Sequence, residues 1–311
     1  MSQGGVSGRP ARLLATGASG FVGGHLRQAI ERGEFGAVEL LPGPRGLDVR
    51  DAQAVDAMVE QARPDLVIHL AAQSFVPRSF AEPVETFEVN VLGTLNLLRS
   101  LSRNGFAGRM VYVSSGDVYG KVAEAAMPVN EDIWPAPRNP YAASKVAAEQ
   151  LCLQWNRSEG LDVVVARPFN HIGPGQARDF VIPSLAHQVA RIRAGLAPPQ
   201  VHAGDIDVTR DFTDVRDIVR AYGDLLRAAQ PGQTYVVGSG EERSIRELLE
   251  AMAKLAGVQV EVVQDPAKLR PSEQRRMRAD PSKLTRDTGW RPRIGIDTTL
   301  NDILQEAGNS L

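Results

Sequence analysis

The stretch Leu13-Leu14-Ala15-Thr16-Gly17-Ala18-Ser19-Gly20-Phe21-Val22-Gly23 decides the fold, because it joins an apolar run to an amphipathic segment through three glycines. A short strand, a tight turn and a helix are predicted in that order. Such a turn brings backbone N–H groups and the positive end of a helix dipole up to a pyrophosphate, and the missing Cβ atoms permit the close approach. The spacing Gly-x-x-Gly-x-x-Gly therefore predicts a dinucleotide-binding turn.

The composition predicts a globular protein with an ample core, since 43% of the 311 residues are hydrophobic and 23% are charged. The net charge is −2 without a block of basic residues, so no nucleic-acid partner is expected. No apolar run approaches the length of a membrane span, and residues 1–10 form a flexible polar tail by our interpretation. The single cysteine, Cys152, excludes an internal disulfide and favours a reducing compartment. We therefore expect a cytoplasmic protein without a membrane partner.

Strands and helices alternate through the first half of the chain. Four apolar runs predict strands, at residues 37–41, 65–72, 109–113 and 163–166. The segments between them have apolar residues at helical spacing. This order, with its short connections, predicts an α/β fold with a doubly wound parallel sheet.

The remaining elements, which include a strand predicted at residues 258–263, are too few for a second sheet of that kind, so a smaller C-terminal α/β lobe is expected. We assign residues 11–167, with parts of 201–238, to the cofactor domain. Residues 168–200 and 239–311 are assigned to the substrate lobe.

The loop after the second predicted strand bears on the choice of cofactor. NAD enzymes normally carry an acidic residue there, which binds the ribose 2′-OH. Pro42-Gly43 occupies that place, and Arg45 follows within reach of a 2′-phosphate, so NADP(H) is favoured and NAD(H) is the alternative. The residues assigned to cofactor binding are Gly17, Ser19, Gly20, Phe21, Val22, Gly23, Arg45, Asp48, Val49, Leu70, Ala71, Ala72, Tyr141 and Lys145.

Tyr141 and Lys145 stand four residues apart on a predicted helix and therefore share one face. An ammonium beside a phenol can lower the pKa of the phenol, and a tyrosine so tuned can exchange a proton with a carbonyl oxygen near neutral pH. Ser115, at the end of the preceding strand, is placed to hold the same oxygen. These three residues are the predicted catalytic group, and no metal ligand is assigned.

These features together resemble the extended short-chain dehydrogenases/reductases, which have the Rossmann fold and act on nucleotide-activated sugars. The resemblance includes His69-Leu-Ala-Ala72, Ser114-Ser-Gly-Asp-Val-Tyr-Gly120 and Arg167-Pro-Phe-Asn170. It places the family's catalytic positions at Ser115, Tyr141 and Lys145. A finer likeness, to enzymes of GDP-mannose metabolism, implies contacts with a GDP-linked sugar from Ser79, Gly116, Asp117, Asn170, Arg178, Arg210, Arg270 and Glu273.

Two activities of that group compete. Dehydratases need a base at C5 of the sugar, and the family supplies it as a glutamate at the position of Asp117. The aspartate is one methylene shorter, and a misplacement of about 1 Å can cost roughly a hundredfold in rate.

The resemblance therefore favours the reductase that converts GDP-4-dehydro-6-deoxy-D-mannose to GDP-D-rhamnose. The alternatives are GDP-mannose 4,6-dehydratase, a nucleotide-sugar 4-epimerase and a non-catalytic NAD(P)-binding protein. The family also implies a homodimer that pairs the helices of residues 83–103 and 141–159, and Leu95 and Leu98 are the positions that we expect at this contact.

Overall fold

The structure is a computed structural model that describes residues 9–41, 43–44, 46–268 and 274–311. Most of the expected polar tail, residues 1–8, lies outside this range. The strands are β1 Ala11–Thr16, β2 Val38–Leu41, β3 Leu66–His69, β4 Arg109–Val113, β5 Asp162–Pro168, β6 Asn170–Ile172, β7 Gln200–Ala203, β8 Thr209–Asp214, β9 Thr234–Val237, β10 Glu242–Ser244 and β11 Glu261–Gln264.

The α-helices of the described residues differ widely in length. They are α1 Phe21–Glu31, α2 Ala52–Ala62, α3 Val76–Ala81, α4 Pro83–Phe87, α5 Gly93–Arg103, α6 Pro140–Glu159, α7 Val181–Arg193, α8 Val215–Ala228, α9 Ile245–Ala256, α10 Ser282–Thr288 and α11 Ile296–Asn309. None of these helices combines the length and the apolar character that a membrane span requires.

The chain divides into two compact units. The first contains the chain up to Val118 together with Pro137–Arg167 and Val219–Tyr235, and the second contains Tyr119–Ala136, Pro168–Ile218 and Val236–Leu311. Segment Tyr119–Ala136 joins the second unit because Val129 forms a bridge with Ala279 and the Glu131 carboxylate accepts the N–H of Val236. The lobe boundaries drawn from the sequence stay a prediction.

A six-stranded sheet has the order β2-β1-β3-β4-β5-β9, and its pairs from β2 to β5 are parallel. Residues of both faces are buried, as the adjacent pairs Leu13 and Leu14 and Val163 and Val164 show with no exposure. Continuous apolar strands of this kind need helices on both faces. The predicted doubly wound α/β fold is confirmed.

One face of this sheet forms a core with α2, α5 and α6. The buried side chains of this core include Val67, Met110, Val55, Met58, Leu97, Leu98, Leu101, Ala148 and Cys152. Leu98 was one of two positions that we expected at a dimer contact, and that expectation is wrong because the side chain has no exposure.

The segment predicted as one long helix, residues 83–103, is interrupted. Five residues, Glu88–Leu92, form a π-helical turn between α4 and α5. Within it, the Asn90 amide accepts from the N–H of Gln73 at 2.8 Å and donates to the Gln73 carbonyl at 3.0 Å. Just after it, Gly93 lies against Val49, where an added Cβ would be 2.5 Å from Cγ2. A π-turn of this kind is common beside functional sites.

The second unit has two small sheets, β10-β8-β6 and β11-β7. Its core lies between α7, α9 and α11 and includes Ile182, Leu185, Val189, Leu248, Met252, Leu300 and Ile303. A strand was predicted at residues 258–263, but only Glu261–Gln264 pairs with β7, a strand that the sequence interpretation missed. Val258, Val260 and Val262 alternate toward the core, which explains why the prediction began too early.

Candidate active site

The carboxyl end of β4 leads directly to Ser115. Its hydroxyl accepts the N–H of Asp117 at 3.1 Å, and Ser115 acts to lower the pKa of the Tyr141 phenol. Gly116 is buried, and residues Gly116–Tyr119 form a single 3₁₀ turn. The turn therefore fixes the Ser115 hydroxyl through the N–H of Asp117 and leaves the Asp117 side chain exposed.

Helix α6 begins with two features that hold Tyr141 in place. The Asn139 side chain accepts the N–H of Ala142 at 2.7 Å, and Pro140 occupies the first helical position. One turn later, Lys145 Nζ donates to the carbonyl of Val113 at 2.8 Å. This bond ties the helix to the end of β4, next to Ser115.

The Lys145 ammonium lies over two aromatic rings. Nζ is 5.2 Å from the ring centre of Tyr112 and 5.9 Å from that of Tyr141, distances at which a cation is attracted to a ring face. Burial lowers the pKa of Lys145 to about 8, and Glu149 opposes that shift. Lys145 is therefore mostly protonated at neutral pH.

The expectation of a lowered pKa for Tyr141 is wrong in this structure. The pKa of the phenol is raised, first by burial and then by the Asp117 carboxylate, while Ser115 acts in the opposite direction. The phenol is only 8% exposed, so loss of hydration dominates. Tyr141 consequently holds its proton and is ready to donate it to a stronger base such as a developing alkoxide.

A buried hydrogen-bond chain connects the ends of β1 and β3 to α6. His69 Nδ1 lies 2.6 Å from Thr16 Oγ1, and Nε2 lies 3.0 Å from Thr94 Oγ1. Thr94 donates to the Asn90 carbonyl at 2.6 Å, and the Asn90 amide donates to Ser144 Oγ at 2.9 Å. Burial lowers the pKa of His69 to about 3, so the ring is neutral and links these side chains without a charge.

The glycine turn has the shape that the sequence predicts. Gly17 has φ +72°, and a Cβ there would lie 2.7 Å from the Ala71 nitrogen. A Cβ on Gly23 would lie 2.5 Å from the Ala18 oxygen. Helix α1 begins without a side-chain cap or an acidic residue in its first turn, so its N–H groups can receive an anion.

The other expected cofactor residues lie around this turn. Ser19 and Gly20 are exposed, Phe21 and Val22 start α1, and Leu70, Ala71 and Ala72 follow β3. Ala71 donates its N–H to Thr16 Oγ1 at 3.3 Å. Asp48 accepts two bonds from the Arg50 guanidinium, at 2.9 and 2.6 Å, and Val49 is buried. Arg45 lies outside the described residues.

The expected substrate residues are more scattered. Ser79 has no exposure and donates its hydroxyl to the Val76 carbonyl at 2.7 Å within α3, so this structure does not present it to a ligand. In the second unit, Asn170 is exposed, Arg178 Nη1 lies 3.5 Å from His187 Nε2, and Arg210 donates to the Thr209 carbonyl at 2.8 Å. Arg270 and Glu273 lie outside the described residues.

The sequence interpretation missed an ion pair beside the predicted catalytic group. The Glu149 carboxylate, with no exposure, accepts two bonds from the Arg167 guanidinium, at 3.0 and 2.8 Å. The sequence did indicate that Glu149 lies beside Lys145, because the two residues are four positions apart and share one helix face. The partners of His69 left no comparable signal, because their sequence separations are irregular.

Comparison with known proteins supports the resemblance. A sequence model of the family described as GDP-mannose 4,6 dehydratase matches residues 45–303. The chain is 51% identical to GDP-6-deoxy-D-mannose reductase of Pseudomonas aeruginosa, over 95% of this chain and 96% of the relative. It is 33% identical to a dTDP-glucose 4,6-dehydratase of Streptomyces antibioticus, over 90% of this chain and 88% of that enzyme.

A solved structure of RMD from Pseudomonas aeruginosa, complexed with NADPH, has the same fold. It superposes with a TM-score of 0.91 at 49% identity and covers 97% of this chain and 100% of its own.

Proposed function

Since this chain belongs to the GDP-mannose 4,6-dehydratase family of short-chain dehydrogenases/reductases, we propose that it reduces the 4-keto group of GDP-4-dehydro-6-deoxy-D-mannose to give GDP-D-rhamnose, with NADPH as the hydride donor. The observation that carries this proposal is the placement of the buried Lys145, whose ammonium donates to the Val113 carbonyl, two residues before Ser115, and lies 5.9 Å from the ring centre of Tyr141. The 51% identity to GDP-6-deoxy-D-mannose reductase supports the choice of substrate.

The glycine turn fits a dinucleotide cofactor. Side chains at Gly17 and Gly23 would collide with neighbouring backbone, and the start of α1, which has no side-chain cap, can present its N–H groups to a pyrophosphate. Bound NADPH supplies the hydride. We assign Gly17, Ser19, Gly20, Phe21, Val22 and Gly23 to the diphosphate side of this site, and Asp48, Val49, Leu70, Ala71 and Ala72 to its remainder.

The residues of the loop after β2 are the reason that we propose NADPH and not NADH as the cofactor. Asp48, the first acidic residue there, already pairs with Arg50. Arg45 is the proposed partner of the 2′-phosphate. Arg45→Ala should therefore narrow the preference for NADPH, as measured by the ratio of kcat/KM for the two cofactors. An unchanged ratio would remove Arg45 from the site.

The protein's own residues account for proton transfer. The Ser115 hydroxyl, oriented by the N–H of Asp117, holds the keto oxygen, and Tyr141 gives its proton to that oxygen as negative charge develops. Lys145, anchored on the Val113 carbonyl, contributes a positive field next to the phenol. No proton moves at C5 in this reaction, so Asp117 orients the sugar and is not a base.

The function is tested by incubating the purified protein with GDP-4-dehydro-6-deoxy-D-mannose and NADPH. Absorbance at 340 nm should fall by one NADPH per product, and NMR of the product should show the C4 configuration of rhamnose. Tyr141→Phe is the control for contaminating reductases. Conversion of GDP-mannose without net use of added NADPH would instead identify a dehydratase, the activity after which the family is named.

The homodimer also belongs to this proposal. An exposed apolar patch on α4 and the π-turn contains Val84, Phe87 and Leu92, which are 70%, 39% and 50% exposed. Contiguous apolar surface of this kind is characteristic of a protein contact, and a second copy would present the same patch across a two-fold axis. A cytoplasmic location is proposed with it, since the one cysteine, Cys152, is buried as a free thiol.

A further inference from the structure

Glu149 is a buried carboxylate to which the proposed reaction assigns no role. Its side chain has no exposure, and that of Arg167 is 6% exposed. Arg167 Nε is 3.0 Å from Oε1 and Nη2 is 2.8 Å from Oε2, so both carboxylate oxygens are bound. Glu149 lies on α6 one turn after Lys145, and Arg167 lies on β5.

Stability alone is a weak explanation for this pair. Burying two charges requires the loss of their hydration, and well-packed apolar side chains in the same place are often as stable or more so. A function that needs a negative charge at this position would explain why an ion pair stands here. Lys145 is the nearby group whose charge state such a carboxylate can control.

The other titratable groups that face Lys145 are neutral near pH 7. On β3, His69 is uncharged because burial keeps its pKa near 3. On β4, burial raises the pKa of Tyr112, and on α6 it raises those of Tyr141 and Cys152. The Asp117 carboxylate acts on the Tyr141 phenol, and Glu149 is the carboxylate that favours the charged form of Lys145.

We propose that Glu149, held in place by Arg167, is a positioning residue that keeps Lys145 protonated beside Tyr141. This inference rests on the proposed reductase function, in which Lys145 acts as an ammonium. Burial favours the uncharged amine, and the carboxylate one turn away opposes it. Without that carboxylate, Lys145 should release its proton at a lower pH and the positive field at the phenol would be lost.

The direct test is a pH titration of Lys145 by NMR in the free protein. The sequence has five lysines, Lys121, Lys145, Lys254, Lys268 and Lys283, so selective labelling gives few signals. The Lys145 signal is identified as the one missing from Lys145→Met. Its midpoint should lie near pH 8 in the native protein and at least about one pH unit lower in Glu149→Gln.

Glu149→Gln leaves Arg167 buried without its carboxylate and could unfold the protein. The double variant Glu149→Gln with Arg167→Met removes both charges, and the Lys145 midpoint should fall in it as well. Glu149→Asp keeps the charge and should restore most of the native midpoint. Glu159→Gln is the matched control, since Glu159 is exposed at the end of the same helix and should have no effect.

Activity gives a second, separable readout. The alkaline limb of kcat/KM for keto-sugar reduction should move to lower pH in the double variant, while Kd for NADPH changes little. If Lys145 titrates at the same pH in the folded double variant as in the native protein, the inference is wrong. If the native protein reduces no GDP-linked keto sugar, the proposed function fails, whereas the NMR midpoints still decide whether Glu149 controls Lys145.

Discussion

Lys145 Nζ donates a hydrogen bond to the carbonyl of Val113 at 2.8 Å, which ties the first turns of α6 to the end of β4, two residues before Ser115. The same ammonium lies 5.9 Å from the ring centre of Tyr141. Burial raises the pKa of the phenol above its ordinary value, so Tyr141 reaches a substrate carbonyl in its protonated form. The arrangement suits reduction, in which the protein must supply a proton.

Tyr141→Phe should slow keto-sugar reduction by roughly a hundredfold or more, because it removes the proton donor and keeps the ring. Ser115→Ala should cost less than this, since it removes one hydrogen bond to the developing oxyanion and leaves the proton donor in place. Single-turnover oxidation of NADPH measures both. Titration of NADPH fluorescence provides the control for cofactor binding. A Tyr141→Phe protein that binds NADPH and reacts at the native rate would contradict the assigned role.

Asp117→Ala should keep most of the reductase activity, because no proton moves at C5 during reduction of a C4 ketone. The Asp117 carboxylate also helps to raise the pKa of Tyr141, so the phenol should titrate at a lower pH in this variant. A dehydratase would lose its C5 base and stop. Reductase activity reduced as deeply as in Tyr141→Phe, with the fold and NADPH binding intact, would overturn this division of roles.

Two adjacent glycines of α1 should respond differently to alanine. A Cβ at Gly23 would lie 2.5 Å from the Ala18 backbone, whereas one at Gly24 meets no atom within 4 Å. Gly23→Ala should destabilise the protein by about 1–3 kcal/mol and weaken NADPH binding at least about tenfold, because the turn must move. Gly24→Ala is the matched control and should be neutral or stabilising. Isothermal titration measures NADPH affinity, and urea unfolding measures stability. Equal affinity and equal stability in the two variants would show that the close approach of Gly23 to the Ala18 backbone does not shape the cofactor site.

Acid should destabilise the protein through His69. Its pKa of about 3 in the folded protein is below the usual 6.5, so the unfolded chain binds this proton more readily. Stability is unaffected above pH 6.5 and falls below it, by about 2 kcal/mol between pH 6.5 and 5. His69→Gln should lower stability at pH 7, since the side chain bonds both Thr16 and Thr94, and should flatten this pH dependence. Urea unfolding at pH 5, 6 and 7 compares the two proteins, and parallel curves would exclude His69 as the cause.

A charge in the apolar patch should disrupt dimer formation. Val84→Asp or Leu92→Asp places a carboxylate where the proposed interface must exclude water, and both side chains are at least half exposed in the protomer. Sedimentation at micromolar concentration should show a dimer for the native protein and a large shift to monomer for either variant. Leu255→Asp, at an exposed apolar position on α9, serves as the control. A native monomer would remove the homodimer from the proposal.

Much of this fold was accessible from local sequence. The glycine turn, the apolar runs and helix α1 were predicted at or near their observed bounds, because periodicity and turn residues act over a few positions. Tyr141 and Lys145 were accessible for the same reason, as a four-residue spacing on one helix face. The break in the helix at Glu88–Leu92 could not be predicted in this way. It depends on contacts of Asn90 with Gln73 and of Gly93 with Val49, which are distant in sequence.

The sequence by itself determined the order of strands and helices, the glycine turn and the types of residue available for catalysis. Only the tertiary structure decided their charge states and contacts. It buries Tyr141 so that the pKa of the phenol rises when the sequence suggested that it would fall, and it pairs Glu149 with Arg167. It also places Leu98 in the core, where the sequence had suggested a contact with a second copy. The reason is physical, because loss of hydration and close packing depend on atoms brought together from distant parts of the chain, which no local pattern encodes.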